Sequence, residues 1–398
     1  MKLLIYSHYF TPSVGGVETS VTLLARKLCE AENLPANAEK FEVTVATQTL
    51  ASGFDDRALP FRVVRAPSLL QLWRGIRSAD IVHIAGPSLA PMFLAKLARK
   101  PYVVEHHGYQ AICPNGVLIH QPDRAICPGH FQAGHYRACI RCQRREMSFP
   151  NAVAKLLLMF PRQFLSRTAP SNIAITQHSL TRHRLPHAQV VYYGIEPVQE
   201  SGDRANEPSR TTPNSESELV RFAYVGRLVP EKGLDVLLRA AKLLKDDAYR
   251  FEVLLIGDGP ERANLEAQIQ SVNLRDVARV TGFLRGSALA DQLRQIDAVV
   301  MPSMWEETAG LAAIEQMMRG RVVIASDIGG LGEVLGDAGL KFPAGDSDRL
   351  AAQMKRVIQG GAPISALGKT ARDRALSLFM ADRMVAEHVA LYSKAALS

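Results

Sequence analysis

Short apolar runs alternate with amphipathic stretches along most of the chain. "KLLIYSHYF" (2–10), "FEVTVATQ" (41–48), "DIVHIAG" (80–86) and "PYVVEHHG" (101–108) read as strands. The spacing predicts a helix over 17–29, with Val17, Val21, Leu24 and Leu28 on one face. "NIAITQHS" (172–179) and "AQVVYYG" (188–194) continue the pattern. A polar stretch, "EPVQESGDRANEPSRTTPNSESE" (196–218), interrupts it and reads as a linker. The alternation then restarts: "VRFAYVGR", a helix 233–245, "FEVLLIGDG", a helix 260–272, "VARVTGF", a helix 287–295, "DAVVMPS", a helix near 311–319 and "VVIASD". A last amphipathic helix is expected over about 370–396. Strand and helix in alternation imply a parallel sheet covered on both faces. The fold class is therefore α/β in two halves: residues 1–195, a linker 196–219, and 220–369. Ligands of such sheets bind at the carboxyl ends of strands, and here an interdomain cleft is expected.

The length of 398 residues exceeds one ordinary core and agrees with this division. No apolar run approaches the roughly 18 residues of a membrane span. The start, "MKLLIYSHYF", has neither an extended basic region nor a small-residue cleavage site, so it reads as a buried strand. A cytoplasmic location follows as the expectation. Charge is uneven. Residues 1–200 hold 22 Lys+Arg against 13 Asp+Glu, and residues 201–398 hold 25 against 26, so the whole excess of +8 lies in the first half. That half is expected to attract anions or the inner face of an acidic membrane. Solubility alone is the alternative reason for the excess. No basic run interleaved with aromatics points to nucleic acid.

Three stretches of the second half carry candidate chemistry. In "YVGRLVPEKGLDVLL" (224–238), Arg227 and Lys232 lie near a helix N-terminus, an arrangement suited to a diphosphate. A surface Arg and Lys beside a turn glycine is the plainer reading. In "LLIGDGPERANLE" (254–266), Gly257 and Gly259 permit close backbone approach, although an ordinary strand–helix turn explains them equally. The stretch is not GxGxxG, so a nicotinamide fingerprint is not supported. "MPSMWEETAGLAAIEQMM" (301–318) is the sharpest. Glu307 falls in a loop, Gly310 turns the chain, and the following helix carries Glu315 on nearly the same face. Carboxylates there can accept hydrogen bonds from sugar hydroxyls. The alternative is a helix-dipole acid at Glu307 and a buried ion pair at Glu315.

Taken in order, "GRLVPEKG", "LIGDGPERANLE", "VTGFL", "PSMWEETAGLAAIE" and "VIASDIGGLGEVL" resemble the retaining glycosyltransferases of the GT-B fold, family 4 type (glycosyl transferases group 1), built from two facing Rossmann-like domains. The resemblance spans nearly the whole chain, and its mark is the E-x7-E of Glu307 and Glu315. It implies that Arg227 and Lys232 bind the donor phosphates and that Glu307 contacts the donor sugar. Amides after Glu307, at Gly310 and Leu311, would help hold sugar and phosphate. Glu315 would bind the ribose hydroxyls, and Phe283 and Leu284 would pack on the base. In the first half, Gly15 and Gly16 of "TPSVGGVETS" match the glycine-rich first loop, near the donor phosphate and the acceptor. His107 of "VVEHHG" matches the histidine near the transferred sugar. Without the resemblance, His107 reads as a satisfied or capping histidine. The segment 370–398 matches a helix that crosses back to the first domain.

The chain departs from the family at Thr308-Ala309, Gln316 and Val322, close to where sugar choice is read. The implied reaction is front-face transfer with retention from a nucleotide sugar, UDP favoured, to a glycan, lipid-linked or polysaccharide-precursor acceptor. Arg227, Lys232 and a helix N-terminus would stabilise the leaving diphosphate, so no catalytic cofactor is required. Competing readings are a nucleotide-sugar epimerase or hydrolase on the same fold, and a non-catalytic nucleotide-sugar-binding protein.

Four of the five cysteines, Cys113, Cys127, Cys139 and Cys142, lie in an insert at 109–148 that is poor in apolar residues. They suit structural zinc, with His107, His120, His130 or His135 able to replace one. An iron–sulfur cluster or free thiols are the alternatives. The insert is expected to overhang the acceptor side. "AVAKLLLMFPRQFLSR" (152–167) reads either as a surface helix for an anionic membrane or as a core helix broken at Pro161.

Overall fold

The structure is a computed structural model and describes residues 1–30, 41–197 and 219–397. It divides into two units. Met1–Glu196 with Phe379–Ser398 form the first, and Pro197–Leu378 form the second. Nearly all of the linker expected at 196–219 lies outside the described residues.

The first unit holds a seven-stranded sheet with the order β3-β2-β1-β4-β5-β8-β9. These are β1 (Lys2–Ser7), β2 (Glu42–Thr47), β3 (Arg62–Arg65), β4 (Ile81–Ala85), β5 (Tyr102–His106), β8 (Ser171–Ala174) and β9 (Ala188–Val190). A two-residue hairpin in the cysteine insert supplies β6 (Ile119–His120) and β7 (Ala125–Ile126). The second unit holds six strands in the order β12-β11-β10-β13-β14-β15: β10 (Val220–Val225), β11 (Phe251–Ile256), β12 (Ala278–Gly282), β13 (Ala298–Met301), β14 (Val322–Ser326) and β15 (Leu340–Phe342). Every pairing in both large sheets is parallel.

Central strands such as Ile81–Ala85 and Val322–Ser326 are buried at every position. Helices therefore cover both faces, as their continuous apolar runs require. In each sheet the first strand sits in the middle and the order reverses beside it, between β1 and β4 and between β10 and β13. Loops leaving those strand ends diverge, which makes the carboxyl edge the place for a ligand in each unit.

Several elements differ from the sequence pattern. "NIAITQHS" is half strand. Thr176 accepts from the Ser179 amide and caps the helix Gln177–His183, so the chain turns at that point. The apolar stretch 152–167 breaks at Leu158, between the helices Phe149–Leu157 and Met159–Arg167. Pro161 falls in the first turn of the second helix, where its missing N–H costs nothing. The expected final helix is two helices, Ala362–Leu378 and Ala381–Leu397. The break lies where Ile195 pairs with the chain: its amide donates to Phe379 O at 2.8 Å, and Ala381 N donates back to Ile195 O at 3.0 Å. Only the segment from Phe379 onward belongs to the first unit.

Candidate functional site

The residues singled out in the second half come together at the β10–β13 edge. After β10 the chain runs through Gly226 and Arg227 into a short turn, Pro230–Lys232, and then the helix Leu234–Asp246. After β13 it runs through Ser303 and Glu307 to Gly310. Lys232 Nζ lies 2.9 Å from Glu307 Oε1. Ser303 Oγ donates to the same carboxylate oxygen. Lys232 also stands 5.6 Å above the Trp305 ring. Met304 N donates to Glu231 O at 2.8 Å and pins the two loops together. Below them, the Tyr224 hydroxyl donates to Arg227 O at 2.8 Å. Burial, reinforced by the charges of Glu307 and Glu231, holds this phenol well above its ordinary pKa, so it remains a donor. The Arg227 side chain is exposed and makes no hydrogen bond or ion pair among the described residues. A half-buried, compensated cation thus lies five residues from an exposed one that has no such partner among the described residues.

Gly310, at a φ of 79°, begins the helix Leu311–Met318, and no side chain caps that end. The first-turn amides, Leu311 among them, face the positive end of the helix dipole. Glu315 projects from this helix without a hydrogen bond or salt bridge among the described residues. Burial pushes its carboxyl up, and Arg319 opposes that only at longer range. The two glutamates divide their roles. Glu307 is the ion-paired one, and Glu315 makes no such pair among the described residues. The alternative reading assigned the ion pair to Glu315, and that pair does not form.

Gly257 also has an internal reason to be glycine. A Cβ there would lie 1.8 Å from Gly226 O, so glycine lets the loops after β10 and β11 touch each other. Phe283, after β12, is 51% exposed with the Arg285 guanidinium 4.7 Å over its ring, and Leu284 beside it is partly buried. Such an aromatic, held flat at a strand end, offers a stacking face. Gln316 is turned inward, where its Oε1 accepts from Arg321 Nη1 at 3.1 Å. The departure at Gln316 is thus an internal polar pair.

The first-unit residues are arranged differently. Gly15 and Gly16 sit at the uncapped N-terminus of the helix Gly16–Cys29, after β1. His107 follows β5. Its Nδ1 lies 2.8 Å from the Tyr193 hydroxyl and its Nε2 3.4 Å from Glu105 Oε2, and only 4% of its side chain is exposed. His106 is also internal, bonded to Asn172 at 2.9 Å, and burial lowers its pKa to about 3.

In the insert, Cys113, Cys127, Cys139 and Cys142 are all buried and form no disulfide. Asn115 stands between two of them: Cys113 Sγ donates to its Oδ1 at 2.9 Å, and its Nδ2 lies 3.4 Å from Cys142 Sγ. Burial and the neighbouring sulfurs push the Cys139 thiol up to about 12. Phe131 and Cys139 of the insert pack with Leu156 and Met159 of the two helices that follow it, which gives the insert more apolar support than its composition suggested. Among the described residues, the group of potential ligands drawn within 4.8 Å of one another is His83, Glu105 and His388, not the cysteines.

Sequence reasoning missed Ser303, Trp305 and Glu105. Glu105 had a visible signal, an acid inside an apolar strand. Ser303 had none, since its value depends on which way the loop folds.

With this geometry established, likeness to known proteins becomes informative. The family described as "Glycosyl transferases group 1" matches residues 206–374. The 2-deoxystreptamine glucosyltransferase of Streptomyces kanamyceticus is 34% identical over 171 residues, 42% of this chain and 43% of that protein. The D-inositol 3-phosphate glycosyltransferase of Rhodococcus opacus (strain B4) is 34% identical over 180 residues, 43% of this chain and 40% of that protein. The chain therefore spans less than half the length of the curated relatives it matches. Among solved structures, Anabaena Alr3699/HepE in complex with UDP-glucose superposes with a TM-score of 0.70 at 17% identity, covering 99% of both chains. Sucrose-phosphate synthase from Thermosynechococcus elongatus superposes with a TM-score of 0.70 at 20% identity, covering 99% of this chain and 98% of that one. The fold class is α/β with two Rossmann-like domains, that of the GT-B glycosyltransferase structures.

Proposed function

We propose that this protein is a retaining glycosyltransferase that moves a sugar from a nucleotide sugar, UDP-linked in the favoured case, to a glycan, lipid-linked or polysaccharide-precursor acceptor. The observation that carries the reading is the β10–β13 edge, where Lys232 and Ser303 hold Glu307 while Arg227 and Glu315 have no side-chain polar partner among the described residues. In this reading Arg227, Lys232 and the helix end at Gly310 and Leu311 take the diphosphate as charge develops on the leaving group. Glu307, fixed by Lys232 and Ser303, meets the donor sugar. Glu315 accepts from the ribose hydroxyls, and Phe283 with Leu284 supports the base. The relatives' glycosyl transfer and the UDP-glucose complex of the Anabaena protein support this class of donor.

Peripheral membrane contact belongs to the same proposal. Among the described residues, no helix is long and apolar enough to cross a membrane. Leu69, Leu70, Phe93, Leu97, Phe149 and Phe164 are exposed on first-unit helices, with Lys96 5.8 Å over Phe164 and Arg144 5.9 Å over Phe149. Basic heads over exposed rings suit an anionic bilayer.

The test is a panel of UDP, GDP and ADP sugars with candidate acceptors, read by nucleotide release and by the product's anomeric configuration in NMR spectra. Acceptor-dependent release with retained configuration is expected. Release without acceptor favours the hydrolase or epimerase. Donor binding without turnover favours the binding protein.

A further inference from the structure

The buried histidines of the first unit suggest something the transfer reaction does not use. His83 lies in the middle of β4, Glu105 in β5, and His388 on the C-terminal helix Ala381–Leu397. Residues distant in sequence thus meet in the interior, with His83 wholly buried, His388 1% exposed and Glu105 2% exposed. His83 Nε2 is 3.1 Å from Glu105 Oε2, and His388 Nε2 is 3.8 Å from the same oxygen. Neither nitrogen makes a hydrogen bond.

The far side of each ring is already engaged. His388 Nδ1 donates to Met384 O at 2.8 Å, because a carbonyl only accepts. In neutral His388 the lone pair is therefore on Nε2, the atom facing the carboxylate. His83 Nδ1 is 2.7 Å from the Tyr392 hydroxyl on the same helix. An outer nitrogen bound to a carbonyl or hydroxyl and an inner one left open is the arrangement of metal-ligating histidines. The lone pair of neutral His388 and the Nε2 of His83 thus flank an anionic oxygen sealed from water, a setting that a positive charge among them stabilises. The three ligand atoms lie within 4.8 Å of one another.

We propose that His83 Nε2, Glu105 Oε2 and His388 Nε2 bind one divalent transition-metal ion, with zinc the best match to two imidazoles and a carboxylate. The ion staples the C-terminal helix to β4 and β5. It also fixes the carboxylate that lies 3.4 Å from His107 Nε2. The proposal does not depend on the donor or the reaction.

The test uses full-length protein prepared without a metal-affinity tag. Elemental analysis is expected to find about one zinc per chain. A variant with Cys113, Cys127, Cys139 and Cys142 all changed to serine should keep it, while His388→Gln and Glu105→Gln should lose it. Cobalt added to chelator-stripped protein should give visible d–d bands without a thiolate charge-transfer band. Should the histidine variant fail to fold, zinc X-ray absorption of the wild type decides through its nitrogen/oxygen or sulfur ligand set. Absence of zinc together with no cobalt uptake by folded, stripped protein would overturn the site. So would loss of all metal in the cysteine variant, or a sulfur-only ligand set.

Discussion

The two units share an architecture and use their strand ends in opposite ways. At the β10–β13 edge of the second unit, one cation and one carboxylate satisfy each other, and another of each, Arg227 and Glu315, makes no such pair among the described residues. At the corresponding edge of the first unit, His107 turns inward to Tyr193 and Glu105. Glu105 illustrates the contrast. Burial raises its pKa, but the surrounding histidines, His107 foremost, outweigh that and hold the carboxyl well below its ordinary range. The second unit leaves Arg227 and Glu315 without a polar partner among the described residues, whereas the first ties His83 and Glu105 to its own C-terminal helix.

The largest test of that contrast is Lys232→Ala. It removes the proposed phosphate cation and leaves buried Glu307 without its counter-ion, so kcat should fall by roughly 100-fold or more. A steady-state assay reads it, and transfer at near wild-type rate would remove the second unit's claim to the chemistry. On the other side, His388→Ala should act mainly on folding. Breaking a buried charged cluster costs about 3 kcal/mol. Denaturant unfolding should show that loss, with donor affinity little changed.

Glu315→Gln sharpens the difference further. A carboxyl with a raised folded pKa contributes stability at acid pH and loses it as pH rises through the folded value. The variant should therefore be more stable than wild type at pH 7, with the gap closing below about pH 4 as both forms become neutral. Its donor KM should rise about tenfold, since one hydrogen bond to a charged group contributes about 1.5 kcal/mol. Equal melting curves at all pH values would contradict the desolvated, unpaired carboxylate. The smallest effect belongs to Phe283→Ala. Stability should not change, because the ring is half exposed, and donor affinity should fall several-fold through lost stacking of about 1 kcal/mol.

Much of this molecule was legible before any coordinates. Apolar runs of strand length, separated by helical periodicity, determined two parallel sheets, because a strand buried on both faces leaves little choice of residue. The E-x7-E pair and the two cations of the second half were also visible, since they follow strand ends at fixed spacing. The short edge strands β3 and β15 were not, and neither was the break at Phe379, which depends on pairing with Ile195. Tertiary structure alone decided that Glu307 takes the ion pair and Glu315 goes without. Only the fold brought His83, Glu105 and His388 to one point. Spacing along a chain reports which face a residue shares with its neighbours, while a hydrogen bond or a metal ligand set depends on atoms from distant segments reaching the same few ångströms.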